Sequence, residues 1–311
     1  MTIALRVSDL SVHYGDHHAL QTLDLEIEAG QLIGIIGPDG AGKTSFIKAL
    51  CGRFHYDGYV QIDDTRLKRG HNRQKLLGLV PQDIGLYGHM SGRENLKAFA
   101  KIMGLARTKR SLAIEAALEA VDMIEKADDP VSALSGGMKR RINVAAAIMH
   151  NPKVIIFDEP TAGVDVPARD TVHRLARTLA EKGMAVLLVT HELDQAEALC
   201  DKVLILCHGK KLAFDTPPRI LSRSFGGMRE VMVRFGAPPS QETLEAMRPF
   251  IFQQGELPTI WTAMTQAREV SFVSAFMTAL RNGDALVREI SVRRPGLTSL
   301  MHRIEQTGSC Q

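Results

Sequence analysis

Apolar and polar positions along the chain change period twice, and those changes predict its organisation. Residues 3–14 and 23–27 alternate as strands around the turn-prone Gly15-Asp16, and Leu32, Ile33, Ile35 and Ile36 form an apolar run short enough to be one buried strand. Apolar spacing over 45–51 predicts a helix, and 58–63 and 78–82 read as two more strands. Pro81 would end the second of these, because it removes a ladder hydrogen bond. From Arg93 to His150 the period is helical, with helices expected over 94–103, 111–124 and 137–149. The strand period then returns. Strands at 154–157, 185–189 and 203–206 alternate with helices at 168–181 and 193–199. All-apolar strands alternating with helices predict a parallel sheet covered on both faces, so the fold class is α/β with a helical subdomain at about 83–150 set into it.

Past Pro217-Pro218 the character changes. Residues 230–235 and 286–292 alternate as strands, 240–247 suggests a helix, two further apolar segments lie between, and a last helix runs from Pro295 to Glu305. The expected division is a domain over 1–225 and a small α+β domain over 226–311.

Composition narrows the partners. A chain of 311 residues with 45% apolar content can bury a full core, and its net charge of +3 leaves no general footprint for nucleic acid, which is not expected as a partner. The local run Lys139-Arg140-Arg141 reads as a solvated helix face or a patch facing nucleotide rather than a DNA reader. Cys51, Cys200, Cys207 and Cys310 form no CxxC, so four unpaired thiols suited to a reducing cytosol are expected. The N-terminus lacks a basic stretch followed by an apolar core, and no run approaches ~18 apolar residues, so neither a signal peptide nor a membrane span is expected.

Three stretches carry chemistry. Gly37-Pro38-Asp39-Gly40-Ala41-Gly42-Lys43-Thr44 fits G-x-x-x-x-G-K-[ST], between the buried strand and the helix that begins near Ser45. Its glycines let successive N–H groups face one anion, with the helix dipole aimed at the same point. Lys43 can reach β- and γ-phosphates, and the Thr44 hydroxyl can hold Mg²⁺. The strand 154–157 ends in Asp158-Glu159, placing one carboxylate to hold Mg²⁺ or its water and a second to act as general base. Ser135-Gly136-Gly137 precedes a helix and offers another anion site, or simply an N-cap with flexible entry.

Together these stretches resemble the nucleotide-binding subunit of ABC transporters over about residues 3–225. The resemblance makes Gly37 to Thr44 the Walker A, Asp158-Glu159 the Walker B with its catalytic carboxylate, and 134–138 the signature motif. Gln82, in Val80-Pro81-Gln82-Asp83, resembles the Q-loop glutamine that senses Mg²⁺ and the γ-phosphate. Ala162-Gly163-Val164-Asp165 resembles the D-loop, and His191 the switch histidine. Tyr14 stands where the family stacks adenine, although an aromatic at a strand end would also suit the core. Met138 departs from the commonest signature glutamine, but Ser-Gly-Gly-Met-Lys-Arg-Arg resembles the branch with bacterial drug and polysaccharide exporters.

The resemblance implies a P-loop ATPase core with an antiparallel β subdomain, an inserted helical subdomain and the α+β appendage. Its cofactors would be ATP and Mg²⁺, with Thr44, Gln82 and Asp158 around the metal. Glu159 would orient water, His191 stabilise transition-state charge, and Lys43 neutralise phosphate. The family works as a dimer with two ATP molecules between the subunits, so Ser135 and Gly137 would contact nucleotide held by the other copy. Integral membrane permease subunits are the remaining expected partners, with this chain peripheral on the cytoplasmic side. Ile84, Leu86, Tyr87 and Met90 are expected to be exposed, ready to receive a helix of the permease. A soluble ATPase acting on nucleic acid or ribosomes is the alternative. Repair-type members carry long coiled coils or zinc cysteines, translation-type members two cassettes, and neither occurs here. The run Arg293-Arg294-Pro295-Gly296-Leu297 resembles the segment that closes drug-exporter ATPases, while Thr298-Ser299-Leu300-Met301 departs from it.

Overall fold

The computed structural model describes residues 2–67, 75–163, 166–255, 257–266, 269–280 and 286–307. Contacts divide the chain into two compact units, 1–217 with 304–311, and 218–303.

The first unit opens with an antiparallel sheet. Strands β1 (Ile3–Tyr14) and β2 (His17–Glu28) form a hairpin, and β4 (Asp57–Ile62) and β5 (Thr65–Leu67) complete the order β2-β1-β4-β5. Buried positions in β1 switch from Leu5 and Val7 to Leu10 and Val12, a change of phase. The slip is taken up at Asp9, whose φ is 51° and whose N–H donates to Asp24 Oδ1 at 2.8 Å, while the register against β2 shifts between Val7 and Leu10. An extra residue at a bulge lets both halves of the strand face one core.

The second sheet has the order β10-β9-β3-β8-β7-β6. Its parallel strands are β3 (Leu32–Ile36), β6 (Leu77–Val80), β7 (Val154–Asp158), β8 (Ala185–Val189) and β9 (Lys202–Cys207). Strand β10 (Lys210–Asp215) runs antiparallel to β9 and was not predicted. His208 and Gly209, with φ of 45° and 75°, make the two-residue turn between them, a backbone that suits the strand twist. Helix α1 (Lys43–Leu50) follows β3, α5 (Val166–Glu181) joins β7 to β8, and α6 (Leu193–Leu199) joins β8 to β9.

Between β6 and β7 lies the helical insert, with α2 (Gly92–Ile102), α3 (Arg107–Ala120) and α4 (Gly136–Ile148). Ser91 and Glu94 form a reciprocal capping box that sets the start of α2. The α/β class, the parallel core and the insert agree with the sequence reading. The thiols do not: Cys51 and Cys200 are outside any disulfide, but Cys207 is disulfide-bonded, and Cys310 lies outside the described residues. Spacing along a chain does not say which thiols meet in space.

The second unit contains β11 (Arg229–Phe235), α8 (Gln241–Met247), β12 (Gln253–Gln254), β13 (Ile260–Thr265), α9 (Glu269–Ala279) and β14 (Val287–Arg293). Helices α7 (Pro217–Phe225) and α10 (Leu297–Thr307) flank these elements in the chain. The sheet order β12-β13-β11-β14 with antiparallel neighbours is the split β-α-β-β-α-β arrangement. Its own core joins Val231, Val233 and Phe235 of β11 to Met247 and Phe276 of the helices. Buried Glu230 accepts from Arg293 Nε at 2.6 Å and Ser299 Oγ at 2.9 Å, tying β11 to β14 and α10.

Candidate functional site

Parallel strands β3, β7 and β8 end side by side, and the candidate chemistry gathers at those ends. After β3 the chain turns through Gly37, with φ 154°, where a Cβ would lie 2.2 Å from Leu206 O. Gly42, with φ 104°, would press a Cβ within 2.6 Å of Ala19 O. Neither position has room for a side chain. Ala41 N–H donates to Pro38 O at 3.1 Å and Gly209 N–H to Ala41 O at 3.1 Å, holding the loop to itself and to the β9–β10 turn.

Helix α1 then starts at Lys43 with Gly42 as its N-cap, no side-chain cap and no acid in its first turn. Helices α2 and α4, by contrast, are capped by Ser91 and Ser135. First-turn N–H groups have no intrahelical acceptor, so this bare terminus below a glycine loop is a nest for an anion. Lys43 is buried beside it and donates to Gly37 O at 2.5 Å and Pro38 O at 3.0 Å. Burial pulls its pKa down, with the charges of Asp39 and Glu159 acting against that. A buried ammonium on carbonyl oxygens beside a helix N-terminus without a side-chain cap fits a polyanion such as the phosphates of ATP. Gly40 and Thr44 are exposed, and the Asp39 side chain stands almost wholly in solvent. Ser45 is buried, its Oγ 3.4 Å from the Tyr14 hydroxyl. Tyr14 is half-buried, its ring 4.6 Å from that of Phe54.

Asp158 ends β7, beside β8, and Glu159 follows it. His191 follows β8, and its Nε2 lies 2.6 Å from Glu159 Oε1 and 3.9 Å from Asp39 Oδ1. Glu159 has φ of 46°, a left-handed backbone that a residue with a side chain adopts at a cost, and its N–H donates to Val189 O at 3.0 Å. Burial, then the charge of Glu159, push the Asp158 carboxyl above its usual pKa, and Lys48 opposes them. A desolvated carboxylate next to another acid suits a cation. No group of three or more His, Cys, Asp or Glu side chains among the described residues could hold a metal. The pair Asp158 and Glu159 nevertheless fits Mg²⁺, which takes one or two carboxylates and draws its other oxygens from water, hydroxyls and substrate phosphate.

Gln82 leaves β6 with its side chain exposed. Ser135 caps α4, its Oγ accepting from Met138 N–H at 3.3 Å, and Gly136 opens the helix. A Cβ on Gly137 would fall 2.8 Å from Ala168 Cβ of α5. Asp165, with Val164 beside it, lies outside the described residues.

Two expectations are corrected here. Arg140 is buried, not a solvated or nucleotide-facing cation; its guanidinium donates to Pro81 O at 2.6 Å and Gln82 O at 2.7 Å. Arg141 Nη1 likewise donates to Asp122 O at 2.9 Å. Carbonyls that leave regular structure recruited these donors, a demand the local sequence does not display. Of the four apolar side chains expected to be exposed after Gln82, Tyr87 is exposed, whereas Ile84, Leu86 and Met90 are half-buried. Fully buried Asn95 draws the loop in, accepting from Tyr87 N–H at 2.8 Å and donating to Tyr87 O at 3.1 Å. Beside it an apolar groove of about 390 Å³ is lined by Leu77, Leu79, Pro81, Phe99, Ile102 and Met103.

Comparison with known proteins agrees with this geometry. A family model described as ABC transporter matches residues 20–162. The chain is 33% identical over 251 residues to the Nod factor export ATP-binding protein I of Rhizobium sp. (strain N33), covering 80% of this chain and 82% of that one. It is 34% identical over 229 residues to the linearmycin resistance ATP-binding protein LnrL of Bacillus subtilis (strain 168), covering 71% and 72%. Among solved structures, cbiO1 of Clostridium perfringens, part of the ABC transporter complex cbiONQ, superposes with a TM-score of 0.66 at 25% identity, over 72% of this chain and 92% of that one. Glycine loop, paired carboxylate and histidine, the Ser135-capped helix α4 and sequence kinship converge, and the chain belongs to the ATP-binding subunits of ABC transporters.

Proposed function

We propose that this chain hydrolyses ATP as one half of a dimer and that hydrolysis drives export through separate membrane subunits. The observation that carries the reading is the 2.6 Å contact between Glu159 and His191 beside the bare N-terminus of α1. The loop Gly37, Pro38, Asp39, Gly40, Ala41 and Gly42 with the first N–H groups of α1 binds the phosphates. Lys43 exchanges its carbonyl partners for β- and γ-phosphate oxygens, Ser45 supports the same turn, and Tyr14 stacks the adenine. Thr44, Asp158 and Gln82 hold Mg²⁺, which when bound neutralises phosphate charge. Glu159 accepts a proton as water attacks the γ-phosphorus and the bond to the ADP oxygen breaks, while His191 orients Glu159 and faces the developing charge.

Ser135, Gly136 and Gly137 reach the nucleotide of the second subunit. Tyr87 and the apolar groove beside α2 take a helix of an integral membrane permease. The chain is a peripheral subunit on the cytoplasmic face of the membrane, and its permease partner supplies the spans; no helix among the described residues is long and apolar enough to cross a membrane. Export is supported by the relatives named for Nod factor export and linearmycin resistance. Phosphate release by the purified full chain with and without Glu159→Gln tests the core of this reading. Turnover that survives the substitution would remove Glu159 from its role.

A further inference from the structure

Arg140 lies on α4 five residues after Ser135 and is 2% exposed. Its two terminal nitrogens take two main-chain oxygens, Pro81 O at 2.6 Å and Gln82 O at 2.7 Å, while Nε is buried without a partner. One turn on, Asn143 Nδ2 donates to Asp83 O at 3.3 Å. Three consecutive carbonyls of the chain leaving β6 are therefore held by one helix.

A guanidinium taken out of water is costly unless its donors are matched. Here the match is geometric, because a planar fork spans two successive carbonyls in a way an ammonium cannot. Burial pulls the Arg140 pKa down, with Asp83 opposing it, as expected for a cation enclosed by main chain. The Gln82 side chain, on the same backbone, stays exposed and free to meet a ligand. The helix that clamps this loop is the one Ser135 caps.

We infer that Arg140 is a positioning residue that makes main chain 81–83 and the Ser135 end of α4 move as one body. Resting on the function proposed above, this gives it a role in turnover. Gln82 engages nucleotide in its own subunit in step with Ser135 being presented to the nucleotide of the second copy. Arg140 touches neither nucleotide and acts through the loop it holds.

The test uses the full chain as wild type, Arg140→Met, Arg140→Lys, Gln82→Ala and the double variant Gln82→Ala with Arg140→Met. Without nucleotide, amides of residues 82–85 should exchange about tenfold faster in Arg140→Met, because the loop opens more readily. Turnover should fall about tenfold or more through misplacement of Gln82, with the Kd for ATP changed less than about threefold. The double variant should be no slower than the slower single variant, since both act through one loop. Unchanged exchange in folded Arg140→Met, or losses that multiply in the double variant, would overturn the inference. If Arg140→Met does not fold, Arg140→Lys, which keeps the charge but not the fork, decides it by the same exchange measurement. A wild type without turnover would sink the proposed function instead, and exchange would still decide whether Arg140 clamps the loop.

Discussion

Glu159 Oε1 and His191 Nε2 meet at 2.6 Å because of the register between their strands. Asp158 pairs with Val189 across β7 and β8, so the chain leaves both strands at the same level. Glu159 then turns left-handed with its N–H on Val189 O, which directs its side chain along the mouth of the sheet toward the residue after Thr190. Nothing in either segment alone sets that distance; two neighbouring parallel strands do.

Replacing Glu159 by Gln keeps the shape and removes the proton acceptor. Turnover should fall on the order of 10²-fold or more, with ATP still bound. Replacing His191 by Ala should cost turnover as well, while leaving ATP affinity near the wild-type value. Phosphate release and nucleotide binding on the same samples separate the two effects, and an ATPase rate near normal in Glu159→Gln contradicts the assignment.

Asp158 holds its proton more tightly in the folded chain than in the unfolded one, owing to burial first and Glu159 second. Its contribution to stability is therefore fully present below the ordinary carboxylate range and lost as pH rises through the raised folded pKa. Asp158→Asn has no charge to bury. The nucleotide-free variant should melt higher at pH 7, by about 2 °C, with the difference shrinking as pH falls, while Mg²⁺-dependent turnover is lost. Thermal unfolding at pH 7 and at pH 5 without Mg²⁺ checks the sign. A variant that melts lower at pH 7 speaks against it.

Ser135 and Gly137 should act on the nucleotide of the other copy. A mixture of Lys43→Ala and Ser135→Arg chains then forms dimers with one intact site and one damaged on both sides. ATP should dimerise the mixture better than either variant alone, as read by light scattering. No gain on mixing would put both halves of the site in one chain.

All the nucleotide motifs precede residue 226, and the sheet of the second unit has its own core around Val233 and Phe276. A chain ending near Gly226 should bind ATP with a Kd within a few-fold of the full chain, since no phosphate-binding group is removed. Fluorescent-nucleotide titration checks this. A folded shortened chain that no longer binds ATP would place part of the site beyond residue 226.

The sequence by itself was enough wherever interactions are local. The glycines of 37–42, the helix that follows them, the Ser135 cap and the apolar runs of β3, β7 and β8 are short-range patterns, read from period and turn chemistry within a few residues. The bulge at Asp9 was hidden, because a phase slip in burial becomes visible only against the partner strand. Strand β10 was missed because its half-buried edge position weakens the apolar signal. Arg140 and Asn95 looked like ordinary polar residues of helices, yet each is buried on carbonyl oxygens of a loop, Arg140 on one 58 residues away. The meeting of Glu159 with His191 and the strand order of the second unit were likewise decided in three dimensions. Burial and pairing belong to whichever surfaces the folded sheets bring together, and a linear pattern records only the part of that choice made by near neighbours.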